Sequence, residues 1–204
     1  MTRRHLTFAL AGAIAAVAPL PPAAAATGDD FDWPCVQRLV PEVAAGMIWP
    51  GPPVDAVNGA VDDPEISRLA EELAARRVPL AEAEEQVAAF AARLEGEARS
   101  AELTRLFART LAIINRDRAS IIGGIRRFAR GQQALADRIA GQNDRLQEIA
   151  PQQILERDAL IAERDWDIRI YDDRQSTLTY LCEQPVLLEQ RAFALARAIA
   201  SHLE

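Results

Sequence analysis

Apolar residues step by threes and fours through Val87, Phe90, Leu94, Phe107, Ile114, Ile121, Ile125, Phe128, Leu135, Ile139, Leu146 and Ile149. That is the period of an amphipathic helix and is close to that of a coiled coil. No proline interrupts residues 80–150, so this stretch is read as a helical spine on which the remainder packs. Its weak places are Gly96, Gly123, Gly124, Gly131 and Gly141. Each costs about 1 kcal/mol against alanine in a helix interior. An unbroken spine would be on the order of 100 Å long. The spine is therefore read either as continuous or as kinked or broken near residues 96–100, where Ser100 could cap a second helix.

Other elements flank the spine. Asp63-Pro64-Glu65 supplies a capping side chain, a proline in the first turn and a carboxylate at the positive end. The helix it starts has Ile66, Leu69 and Leu73 on one face. Val78-Pro79 ends it, because a residue before proline avoids the helical region. Ala150-Pro151 is the next turn, and a second long helix is predicted over residues 152–183. Ile154, Ile161 and Ile168 stand there at heptad spacing, as an inward seam. Pro185 is expected to break or kink that helix before a last one carrying Leu188, Phe193, Leu195 and Ile199. No repeat and no strand pattern appears. The fold class is all-α: an elongated antiparallel bundle or coiled-coil hairpin of about four to five helices.

The first 60 residues differ. Met1-Thr2-Arg3-Arg4, an apolar run and Ala23-Ala24-Ala25-Ala26 have the form of a secretory signal over residues 1–26. The paired arginines also fit a twin-arginine signal, although Thr7 departs from that pattern. Cys35 follows Asp32-Trp33-Pro34, which is no lipoprotein box. Residues 27–60 are dense in proline, which forbids a long helix. Trp33 and Trp49 lie among them, and exposed tryptophan is costly. The stretch is read as an extended arm docked through Trp33, Val36, Leu39, Ile48 and Trp49. Residues 61–204 form the helical bundle.

Composition narrows the setting. The formal charge is −7, every basic residue is arginine, and removal of Arg3 and Arg4 makes the chain more acidic. Such a chain is a poor general partner for nucleic acid. Past the signal no apolar run is long enough to span a membrane. The two cysteines, Cys35 and Cys182, are expected to pair in an oxidising compartment, the periplasm. The bond would pin the arm to the second long helix, and the loop-entropy model gives it roughly 5 kcal/mol.

Charge then suggests a register. Residues 103–130 hold seven arginines, from Arg105 to Arg130, against Asp117 alone. A turn at Pro151 brings Asp172 and Asp173 near Arg126, Arg127 and Arg130, and Asp165 near Arg138. It also sets Cys182 near Ser120 and Pro185 near Asp117. Asn115, Arg116, Asp117 and Arg118 interrupt the apolar stripe opposite Pro185, and with Glu183 they are the candidates for a polar pocket. A register-setting polar layer is the alternative.

Catalytic signals are sparse. Beyond the signal the only histidine is His202, which argues against Ser-His-Asp chemistry and histidine metal sites. Neither Gly-x-Gly-x-x-Gly nor a P-loop occurs, and no cofactor is expected. The leading expectation is an exported non-enzymatic protein acting through protein–protein contact or as a homo-oligomer. The alternative is a binding module for a small anion or polyanion, or an anionic surface, using Arg116, Arg118, Arg126 and Arg127.

Overall fold

The computed structural model describes residues 32–57 and 63–203, and the expected signal lies outside them. Among the described residues the regular structure is helical throughout. The elements are α1 (Ala45–Ile48), a 3₁₀ turn (Val54–Val57), α2 (Pro64–Ala74), α3 (Leu80–Ala91), α4 (Gly96–Glu148) and α5 (Ile154–Ala200). The last two pair closely as an antiparallel hairpin. The all-α bundle is therefore present, with its arm docked.

Local chemistry sets most boundaries. Asp63 Oδ1 accepts hydrogen bonds from the N–H groups of Glu65 and Ile66, with Pro64 in the first turn. The spine breaks where glycine allows it. Gly96 has φ +58°, a left-handed conformation that a side chain disfavours, and it separates α3 from α4. Ser100 does not cap; it lies one turn inside α4, and its carbonyl accepts from Thr104 Oγ1. The 53 residues of α4 span about 80 Å.

Pro185 departs from expectation, because α5 runs through it to Ala200. An interior proline costs about 3 kcal/mol through the lost N–H and the ring's clash. Packing on both sides offsets that here. Leu188, Ala192, Leu195 and Ile199 lie in the main core, and Cys182 is bonded just before the proline.

The core fills one end of the molecule. There α2, α3, the first part of α4 and the last part of α5 bury Leu73, Val87, Leu103, Leu106, Ile114 and Leu195. We call this the head. The arm seals it: Trp49 stacks on Phe107 with ring centroids 4.2 Å apart and planes 6° from parallel. The Trp49 N–H is satisfied by Pro52 O at 2.9 Å. Gly51 permits that arrangement, since a Cβ there would meet the indole at 2.6 Å. Ile48 is buried too, but Val36 is almost fully exposed and docks nothing.

Beyond the head, the rest of α4 and the start of α5 form a two-helix stalk. Its α4 seam follows a heptad: Gln132, Leu135, Ile139, Gln142, Leu146 and Ile149 turn inward. Its α5 seam is Leu160, Asp167, Tyr171 and Leu178. The isoleucine heptad is thus not the seam, for Ile154 and Ile168 are exposed. Asp167 faces inward instead, and that rotation turns the isoleucines aside.

The two arm tryptophans have different weights. Trp49→Ala should cost about 3 kcal/mol, by lost burial and the cavity left behind. Trp33→Ala, at a half-buried site, should cost under about 1 kcal/mol. Urea midpoints of the two variants check this.

Candidate functional site

Besides the stacking of Trp49 on Phe107, four contacts hold the arm against the hairpin. Cys35 and Cys182 form the disulfide, with Cα atoms 5.6 Å apart across a sequence separation of 147. The Asn115 carboxamide accepts from Val43 N–H at 3.0 Å and donates to Val43 O at 3.0 Å, as a neighbouring strand would. Its amino group also approaches Glu42. The Arg118 guanidinium is buried and spans arm and helix, donating to Val40 O at 3.1 Å and to Pro185 O at 3.2 Å. Glu189 supplies its countercharge at 3.4 Å. Burial pushes the Arg118 pKa down and the Glu189 charge opposes that shift. Arginine stays protonated even so.

The fourth contact is electrostatic. Asp32 lies 3.1 Å from Arg126 and also pairs with Arg130. Asp172 and Asp173 were expected in that role and do not fill it; both are exposed on α5. The arm supplies the carboxylate because the disulfide carries its first residues along α4.

The expected polar pocket does not form as one cavity. Asn115 and Arg118 are consumed by the arm. Asp117 lines a shallow cavity of about 250 Å³ with Arg76 and Ser120. Arg116 is exposed beside it, at 4.0 Å. Glu183 lies elsewhere, in a cavity of about 380 Å³ bordered by the disulfide. Arg127 is exposed on the outer surface of α4. The register itself lies close to expectation, for Arg118 reaches Pro185 where Asp117 was to meet it.

A second polar cluster sits in the stalk. Asp167 accepts from Arg138 Nε at 2.8 Å and again from its terminal nitrogen. Gln142 Nε2 donates to the same carboxylate at 2.9 Å. The Asp167 carboxyl is held below its usual range, chiefly by the Arg138 hydrogen bonds, against the opposing effect of burial. Gln142 and the Arg138 charge add to the lowering. Arg138 was expected to meet Asp165, two residues away, but Asp165 pairs with Arg164 instead. Gln132, ten residues before Gln142 on the same seam, donates to Tyr171 O at 3.2 Å. Sequence reasoning missed Gln132, Gln142 and Asp167. The signal was there: two heptad steps of α4 land on glutamine.

The Asp167 carboxylate accepts three hydrogen bonds, two from Arg138 and one from Gln142. Among the described residues no group of three or more His, Cys, Asp and Glu side chains is placed to hold a metal ion. No helix among them is long and apolar enough to cross a membrane. Comparison of the chain with family models, curated proteins and solved structures gives no match.

Arg118→Ala should cost about 3 kcal/mol, because the buried Pro185 O and the part-buried Val40 O both lose this donor and Glu189 loses its partner. Lysine should not rescue it, since one ammonium lacks the fork geometry. Arg116→Ala should change stability by less than about 0.5 kcal/mol. Denaturant titration separates the three.

Acidification should weaken the stalk. A carboxylate whose folded pKa is depressed stabilises fully above its unfolded value, about 3.9. That contribution is lost as pH falls through the lower folded value. Asp167→Asn should therefore destabilise most at neutral pH, with the gap to the unaltered protein closing below about pH 4. Urea midpoints measured against pH check the sign.

Proposed function

We propose that the protein is an exported, non-enzymatic helical scaffold or adaptor acting through protein–protein contact in the periplasm. One observation carries this reading. The outward face of α5 presents Leu155 at 88 %, Trp166 at 59 % and Tyr180 at 64 % exposure. Their spacing puts all three on one stripe of the helix, along the stalk and away from the seam. The three stand about 16 and 21 Å apart along the helix, a row of separate anchors for an elongated partner rather than one continuous patch. The disulfide fits an oxidising compartment.

The alternative, capture of a small anion or polyanion by the middle of α4, draws less support. Asp32 neutralises part of the charge of Arg126 and Arg130, and Arg118 is buried against carbonyls. Arg116 and Arg127 are left as its exposed arginines.

A photo-crosslinking residue at position 155, introduced into the protein in its native envelope, tests the contact reading. The expected product is a discrete adduct, either with a second copy or with one other protein. Trp166→Ser and Tyr180→Ser should each deplete it while shifting the unfolding midpoint little. A chain that stays monomeric and gives no adduct would sink the reading.

A further inference from the structure

We infer that the groove between the start of the arm and the stalk is a binding site for a neutral, hydroxyl-rich ring: a sugar. The groove encloses about 510 Å³, within the range of small-ligand sites. The arm forms one wall with Trp33 and Pro34, and the two stalk helices form the other with Gln132, Tyr171, Gln175 and Leu178. It lies apart from the outward stripe of Trp166, so it stands independently of the contact reading.

The lining selects the ligand chemistry. The Trp33 indole N–H is already spent on Gln37 O at 2.7 Å. What the side chain has left to offer is apolar ring surface, and the face of a pyranose suits such a surface. Opposite it runs a short relay. Gln132 Nε2 lies 3.5 Å from Gln175 Oε1, and Gln175 Nε2 lies 3.4 Å from the Tyr171 hydroxyl. The Tyr171 proton and the second Gln175 N–H remain as donors. Gln132 is only 6 % exposed and anchors the inner end of this relay. At the open end the Tyr171 hydroxyl both donates and accepts, beside the Gln175 carboxamide. The site therefore offers donors and acceptors side by side, and a sugar hydroxyl is both. An anion is served less well. Asp32 is part of the wall, and its carboxylate already holds Arg126 and Arg130.

The arm's fastening also gains a purpose on this account. The bond at Cys35 on one side and the Asp32 ion pairs on the other hold Trp33 and Pro34 over the stalk. The bond keeps the groove assembled before the ligand arrives, which lowers the ordering cost of binding.

Saturation-transfer NMR on the disulfide-intact mature protein tests the site, with maltotriose, chitotriose and a hexaproline peptide as probes. Transfer to at least one sugar is expected. Trp33→Ala should weaken that binding at least about tenfold while the protein stays folded. Tyr171→Phe, which removes only the hydroxyl, should weaken it less but measurably. The inference is overturned if neither sugar receives transfer, or if Trp33→Ala leaves sugar binding unchanged. It is equally overturned by transfer to the peptide alone, or by a sugar signal that persists in Trp33→Ala and vanishes in Trp166→Ala.

Discussion

An 80 Å helix cannot keep an apolar stripe in water, and the whole molecule answers that constraint. The length of α4 obliges the chain to cover it twice, by two different means. Over its first half α2, α3 and the end of α5 close a conventional core, with Leu103, Leu106 and Ile114 at the centre. Over its second half only α5 is available, so burial shrinks to a single seam. Hydrophobic stabilisation scales with area removed from water, which leaves the stalk far less than the head. The polar seam residues sharpen the contrast. Gln132, Gln142 and Asp167 occupy places where leucine would bury more surface, and they fix register instead.

Arginine does the fastening. Arg118 joins an arm carbonyl, Val40 O, to Pro185 O of α5, Arg191 donates to Leu73 O and Val78 O where α2 ends, and Arg99 donates to His202 O just past the end of α5. Arg157 does the same for Leu146 O near the tip. Helix ends and proline-rich segments leave carbonyls without donors, and a forked cation can serve two of them at once. A chain without lysine has this device in quantity. Many of its arginines are structural donors before they are surface charges.

How far the sequence could be read follows from the range of each signal. Short-range chemistry was legible: the Asp63-Pro64 start, the Pro151 stop, the weakness at Gly96 and the pairing of two cysteines. However, α2 ends at Ala74, well before the expected stop at Val78-Pro79, and Pro79 instead caps the start of α3. Three points needed tertiary information. Pro185 was read as a breaker because propensity counts the lost hydrogen bond and cannot see packing on both flanks. Ile154, Ile161 and Ile168 were read as a seam because isoleucine at heptad spacing outweighs one aspartate in any hydropathy count. Asp167 nevertheless took the inward place, since Arg138 and Gln142 satisfy it there. Among the candidate site residues, Asn115 and Arg118 were singled out as an interruption in the apolar stripe. Their actual partner, the arm backbone at Val40 and Val43, carries no side-chain signature a sequence could display. The groove was out of reach for a similar reason: Trp33 and Tyr171 stand well over a hundred residues apart, and tertiary contacts, the disulfide and the Asp32 ion pairs among them, bring their neighbourhoods together.

That disulfide has a topological side. It joins a residue near the start of the described chain to one late in α5, so the entire tip of the stalk lies within the covalent loop it closes. A peptide bond cut at Pro151 would open a ring and release no fragment. The exposed tip, the part of the hairpin furthest from the core, can be nicked without the two long helices parting company.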